Sequence, residues 1–416
     1  MDGAEIIAWA QSLGRHSDSP EHYTRTLFTP AHQAAARQLA DWMRAAGMTV
    51  RVDAVGNVIG RYEGAEPGAK TLLMGSHFDS VRNGGKYDGV LGILLGIGCV
   101  AELNRRGERL PVAIEVAGFS DEEGARFQTS FFSSRAMAHG FDTKLLDKRD
   151  AAGVTLADAM REVGLDPARV AEARIDPSTL AGYLEVHIEQ GPVLLNEGHA
   201  LGVVTSIAAG AKHMMTVTGE AGHAGTVPMP LRHDALAATA EMVLAIERRC
   251  SAGGSLVGTV GMVEVKDGTG NVIPGEVRFS IDIRAGEKET LDKARDDVFA
   301  ELDAIARRRG VRLQGNRTHD VHPVACAQWL QDRISASIER TVGARPARRL
   351  PSGAGHDAMV MAEVTDVGMM FVRCGAGGVS HNPAETVSRE DAGLALAALV
   401  DLVRGFTPLQ QRGAGQ

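Results

Sequence analysis

The chain has no excess of basic residues: Lys and Arg number 44 against 52 Asp and Glu, a net charge of −8 at pH 7. Nucleic acid and anionic membranes both call for a basic surface, so neither is expected as a partner. Small substrates stay open, since a few local cations can dominate a cleft. Cysteine is scarce, at four (Cys99, Cys250, Cys326 and Cys374), and no two form a CxxC pair. A disulfide framework or zinc cluster is therefore not expected, and reduced, packed thiols are. The first residues, MDGAEIIAWAQSLGRHSDSPEHY, lack the basic segment and following apolar stretch of a signal peptide. No run approaches the roughly 18 apolar residues that suggest a membrane span. The cytoplasm is the expected location. Short repeats and low-complexity tracts are missing apart from the tail Gln410–Gln416. The glycine runs GILLGIG and GAGGV have neither a GK[ST] ending nor a full GxGxxG context, so they read as close packing and tight turns rather than nucleotide loops.

What is there suits a two-domain globular protein. A chain of 416 residues is too long for one comfortable core. Hydrophobic content of 44% and charged content of 23% are ordinary. In the first half, Ala35, Leu39, Trp42 and Met43 recur at helical spacing over Pro30–Ala46. Thr71–Gly75 and Pro111–Phe119 read as buried strands, with a glycine-containing helix over Gly89–Leu103 between them. Alternation of this kind predicts an α/β fold with a mainly parallel sheet covered on both faces. The middle reads differently: strand Lys212–Gly219, helix Arg232–Arg249, strands Leu256–Val265 and Val277–Arg284, a charged helix Glu287–Arg308, and strand Val311–Thr318. That βαββαβ order is the ferredoxin-like pattern. A catalytic domain is expected over residues 1–210 and 326–416, interrupted by an inserted domain over 211–325.

The strongest local signal is GSHFDSVRNGGKYDGVLGI. A strand ending at Gly75 delivers His77 and Asp79 to its C-terminal end, the usual place for a site in an open α/β sheet. Asp88 follows a glycine-rich turn just before the next helix. A second buried strand, EVAGFS, runs into Asp121, Glu122 and Glu123. Three carboxylates at the mouth of an apolar strand are costly unless a cation neutralises them, although alone the run fits a solvated acidic turn equally well. In YLEVHIEQGPVL, His187 shares a strand face with Glu185 and Glu189. His381 sits in the glycine-rich loop GAGGVSHNPAET. A histidine alone is more often structural. Jointly, His, Asp, Glu, His and His at strand ends form the mixed nitrogen and oxygen donor set suited to Zn²⁺ or Mn²⁺.

These motifs resemble the amidase/hydantoinase/carbamoylase branch of the M20 metallopeptidase superfamily, over nearly the whole chain. The matching segments are GSHFDSV, the GGKYDG turn, DEEGARF, HIEQGPVL, GHAGTVPM, NVIPGEV, PSGAGHDA and the SHNPAE loop. HIEQGP discriminates, because other M20 branches tend to place Asp or Glu where His187 falls. The resemblance implies two divalent metal ions per subunit, Zn²⁺ or Mn²⁺, with Co²⁺ or Ni²⁺ as alternatives. One ion would be held by His77, Asp88 and His187, the other by Asp88, Glu123 and His381. It further implies that Asp79 orients His77 and raises its basicity, and that Glu122 is the general base.

Other residues take roles from the same resemblance. His223, by itself a surface-turn histidine, becomes an oxyanion or substrate contact. Arg284, by itself a partner for Asp282 on a solvated sheet face, becomes with Asn271 a clamp for a substrate carboxylate. Gln190 would hydrogen-bond the substrate, and Gly353, His356 and Asp357 would shape the rim or support the ligands from behind. Hinges near Ala209–Ala211 and Pro323–Gln328 are expected, as is a homodimer through the inserted lid and dimerisation domain. The implied reaction is hydrolysis of the ureido (N-carbamoyl) group of a small carboxylic acid. Allantoate comes first, then an N-carbamoyl-L-amino acid or N-carbamoyl-β-alanine. A peptidase or aminoacylase of the same superfamily is more remote, as HIEQGP and NVIPGEV argue against it. So is a non-catalytic metal-binding scaffold, which would be expected to have lost the base or a ligand.

Overall fold

A computed structural model describes residues 1–251, 253–320, 323–343 and 345–408. The tail Gln410–Gln416 lies outside them. The chain divides into two compact units: Met1–Thr205, Cys326–Leu350 and His356–Gln416 form one, and Ser206–Ala325 with Pro351–Gly355 the other.

In the first unit the apolar runs become strands whose residues are buried on both faces, as Thr71–His77 and Ala113–Phe119 are throughout. The sheet order is Thr49–Val52, Val58–Tyr62, Ala113–Phe119, Thr71–His77, Leu180–Ile188, Val367–Val372, Leu201–Ile207. The four strands from Ala113–Phe119 to Val367–Val372 are mutually parallel, and their neighbours on either side run antiparallel. The fold is thus mixed α/β with a mainly parallel centre. The helix Val90–Arg105 is apolar nearly all round because it is packed against the sheet. The helix Pro30–Ala45 starts where Thr29 accepts a hydrogen bond from His32 N–H and Pro30 takes the first turn.

Register aligns the C-terminal ends of the parallel strands: His77 lies opposite Phe119, and His187 opposite Phe371. The segments leaving those ends carry the acidic run, the His77–Asp79 turn and the His381 loop. A crevice at the carboxyl ends of such strands is the general place for a site.

The second unit has an antiparallel sheet in the order Val263–Val265, Glu276–Ala285, Ala209–Thr218, Arg312–Asp320, with Val257–Thr259 also on Glu276–Ala285. Helices Ala235–Cys250 and Lys288–Arg309 bury Met242, Ile246, Leu291, Val298 and Leu302 in a core with Val277, Phe279, Ile281 and Ile283. Strand alternation puts Ser280, Asp282 and Arg284 on the opposite face. Several boundaries differ from expectation, among them the first strand, which begins at Ala209 rather than Lys212. The run Leu256–Val265 splits into two short strands. The first helix begins at Ala235 rather than Arg232, because the Asp234 carboxylate caps it by accepting from the N–H groups of Leu236 and Ala237, both at 2.9 Å.

Candidate metal centre

The centre is assembled around Asp88, which is 5% exposed. Its Oδ1 faces His77 Nε2 at 3.6 Å and His187 Nε2 at 3.2 Å. Its Oδ2 faces His381 Nε2 at 3.2 Å, and that nitrogen lies 3.3 Å from Glu123 Oε1. Two groups of donors result, His77–Asp88–His187 and Asp88–Glu123–His381, each with its donor atoms within 4.8 Å of one another. They share Asp88. The first group is fully buried, whereas the His381 side chain is 49% exposed, so the second opens to solvent.

The hydrogen bonds show that these donors fit a cation. His187 Nδ1 lies 2.9 Å from Ile188 C=O and so carries the proton, leaving the Nε2 lone pair directed at Asp88. Gly89 N–H points at the same Nε2 from 3.2 Å, consistent with a lone pair there. His77 Nδ1 likewise lies 3.3 Å from both Asp79 Oδ1 and Asp79 C=O. Among the described residues, the buried Asp88 Oδ1 has no hydrogen-bond partner. Two nitrogen lone pairs converging on a buried carboxylate oxygen repel it unless a proton or a cation lies between them.

Asp79 does more than orient His77. Its Oδ1 accepts Glu122 N–H at 3.0 Å and its Oδ2 accepts Glu123 N–H at 3.1 Å, tying the acidic run to the neighbouring strand end. The Glu122 carboxyl is beside His77 and Glu123. Burial and then the Glu123 charge push it well above the ordinary carboxylate range. Burial resists charging His77, but Asp79 and Asp88 outweigh it and hold that ring well above its usual range. Gly89 makes the arrangement possible: at φ +66°, a Cβ there would come within 2.5 Å of the His77 ring.

Among the other expected residues, Gln190 is at the centre, its Nε2 donating to Asp88 Oδ2 at 2.9 Å. His356 packs edge-on against His187, with ring centroids 4.4 Å apart, and Asp357 is fully buried. His223, Asn271, Arg284 and Gly353 lie in the second unit. There a short strand pair sets His223 opposite Val272, and Asn271 C=O accepts Ala224 N–H. Arg284 grips both Asp282 oxygens, at 3.1 and 2.9 Å, and Gly353 C=O at 2.9 Å. The pairing with Asp282 is therefore formed.

Several participants escaped the sequence. Glu385 and Ser380 sit beside Asp88 in the SHNPAE loop. Fully buried Arg25 supports the His77–Asp79 turn from behind, donating to Phe78 C=O at 2.5 Å and Leu13 C=O at 3.0 Å. Glu185 accepts from Ser76, Tyr183 and Ala358 N–H, while Glu189 accepts from the N–H groups of Val193 and Leu194. Glu185 also lies with His187 and His356 in a further group of donors around the same histidine.

Residues 70–405 match the model of Peptidase family M20/M25/M40. The chain belongs to this family. Among M20 relatives, an N-carbamoyl-L-amino acid amidohydrolase of Geobacillus stearothermophilus is 42% identical over 97% of this chain and 98% of its own length. The allantoate deiminase of Arabidopsis thaliana is 37% identical over 96% and 81%. A crystal structure of an amidase of the hydantoinase/carbamoylase family from Burkholderia multivorans superposes with a TM-score of 0.90 at 30% identity, covering 97% of each chain. M20 enzymes are metal-dependent, and the donor groups here could hold metal ions.

Proton release checks this centre without any assay of turnover. Hydrogen bonds to Asp88 and then Glu123 hold His381 up to about 10 in the metal-free protein. A cation needs the Nε2 lone pair, so loading at neutral pH must displace that proton, and binding must strengthen as pH rises toward that value. Calorimetric titration in buffers of differing ionisation enthalpy should show at least one proton released per chain. Loading with no proton release would contradict the placement of His381.

Proposed function

We propose that the chain is a metal-dependent amidohydrolase that cleaves the ureido group of a small carboxylic acid, releasing ammonia and carbon dioxide. The observation that carries this is the shared Asp88, facing His77 and His187 with one oxygen and His381 with the other, beside the buried Glu122 carboxyl. Membership of the M20 family and the relatives' names agree with a hydrolase acting on C–N bonds outside peptides.

Two divalent cations, Zn²⁺ or Mn²⁺, would be held by His77–Asp88–His187 and Asp88–Glu123–His381. When bound they supply the Lewis acidity that polarises a scissile carbonyl and brings a water's pKa toward neutrality. The protein's own groups do the rest. Asp79 fixes the position of His77 and of the main chain at Glu122 and Glu123. Glu122, raised by burial, is suited to taking a proton from the attacking water and returning it to the leaving nitrogen. Gln190 holds Asp88 and marks where a substrate amide or carbonyl would be met.

The reading takes the second unit to be ferredoxin-like, a view supported by its βαββαβ order, and to act as lid and dimerisation domain. Hinges near Ala209–Ala211 and Pro323–Gln328 and a homodimer come with it. His223, Asn271 and Arg284 would be its substrate contacts and Gly353 would shape its rim, while buried His356 would support His187 from within the first unit. Replacing Arg284 with Lys keeps the charge but loses the planar fork. KM should rise about tenfold or more, the cost of a charge-assisted hydrogen bond, with kcat much less affected.

For the substrate, the 42% identity to an N-carbamoyl-L-amino acid amidohydrolase over nearly both full lengths favours that class. This reverses the order expected from the motifs alone. Allantoate stands second, favoured by the plant deiminases at 36–38% identity. Ammonia release from several N-carbamoyl-L-amino acids, allantoate, ureidoglycolate and N-carbamoyl-β-alanine, with Zn²⁺ or Mn²⁺ added, decides between them. Release from none of these would overturn the ureido reading.

A further inference from the structure

We propose that Glu385, acting with Ser380, is the positioning residue that holds Asp88 in its bridging orientation. The inference rests on the reading of the centre as a site for two cations. Glu385 is 4% exposed and points into the turn before Asp88. Its Oε1 accepts the main-chain N–H of Tyr87 at 2.8 Å and of Asp88 at 3.0 Å. Its Oε2 lies 2.9 Å from Ser380 Oγ, and that hydroxyl lies 2.7 Å from Asp88 Oδ2. One carboxylate thus fixes the backbone of Asp88 directly and its side chain through a single hydroxyl. The hydroxyl carries one proton, so it donates to one of the two carboxylates at a time.

Gly85 shows that the turn is shaped around this carboxylate. A Cβ at Gly85 would come 2.0 Å from the Glu385 carboxyl carbon. The clamp also fixes a ligand loop. Ser380, His381 and Glu385 lie within six residues, and His381 is held at φ +55°, a conformation side-chain-bearing residues seldom adopt. Such a loop needs anchoring, and the Glu385 bonds to Tyr87 and Asp88 are an anchor on the opposite wall of the centre.

The two donor groups depend on this clamp unequally. His77 and His187 are buried in or beside sheet strands and face Asp88 Oδ1. His381 is half exposed on the clamped loop and faces Oδ2, the oxygen touched by Ser380. Losing the clamp should therefore weaken the Asp88–Glu123–His381 position and spare the buried one. Outer hydrogen-bond partners of metal ligands typically govern affinity by about 10- to 100-fold.

The test is Mn²⁺ and Zn²⁺ binding to metal-free protein, read as stoichiometry and affinity, together with the thermal midpoint of the metal-free chain. Wild type should hold two ions per chain. Glu385→Ala should hold one where wild type holds two, the second binding about 10- to 100-fold more weakly. Glu385→Gln should restore the second ion, because its amide oxygen still accepts both N–H groups and its NH₂ can donate to Ser380. Should Glu385→Ala fail to fold, Ser380→Ala removes only the hydroxyl on Asp88. It should weaken the second ion roughly tenfold with the metal-free midpoint unchanged. Two ions bound to Glu385→Ala or Ser380→Ala with wild-type affinity would overturn the inference, as would Glu385→Gln behaving like Glu385→Ala. Wild type holding fewer than two ions would instead remove the two-cation reading, and the inference with it.

Discussion

Glu122→Gln should retain its cations and lose about 10²- to 10⁴-fold in kcat, the usual contribution of a positioned general base. The amide is nearly the shape of the carboxyl and leaves the main chain at Glu122 hydrogen-bonded to Asp79. None of the five proposed ligands changes. What disappears is the ability to accept a proton where burial and the neighbouring Glu123 have made the carboxyl unusually basic. Metal content and kcat measured on the same preparation separate the roles. A variant that keeps both its ions and full turnover would show that Glu122 is not the base. One that loses an ion would show it to be a ligand.

Asp88→Asn should do more damage by a different route. In the metal-free protein burial opposes the Asp88 charge, but the surrounding His187, His381 and His77 rings override it and hold the carboxyl well below its usual range. The same negative charge would be shared by both cations. Asn preserves the size but presents one oxygen and one NH₂, and the NH₂ is repelled by any cation it faces. At least one ion per chain should be lost, and kcat/KM should fall at least ~10³-fold, equivalent to several kcal/mol. Metal analysis beside the kinetics checks this; two tightly bound ions in Asp88→Asn would contradict the bridge.

The parts that sequence made legible were those with local cause. Thr71–His77 and Ala113–Phe119 could be read because strands buried on both faces are continuous apolar runs. His77, Asp88 and the Asp121–Glu123 run stood out because polar residues at the mouths of such strands have few structural reasons to be there. Period two correctly placed Glu185 beside His187 but could not show its bonds to Ser76, Tyr183 and Ala358, nor that the strand ends at Ile188 and Glu189 turns to the helix start at Val193. Glu385 was hidden for the same reason. It meets Asp88 across 297 residues of chain, and no window of sequence carries that pairing. The break in Leu256–Val265 was hidden as well, because a continuous β-like composition does not reveal where a strand leaves its partner.

The shared-carboxylate centre is tested most directly by anomalous diffraction from crystals of wild-type protein loaded with Mn²⁺ or Zn²⁺. Two peaks are expected about 3.5–4 Å apart, one among His77, Asp88 and His187 and the other among Asp88, Glu123 and His381. A single peak would contradict the bridge, as would a peak among Glu185, His187 and His356, the competing donor group packed around the same histidine.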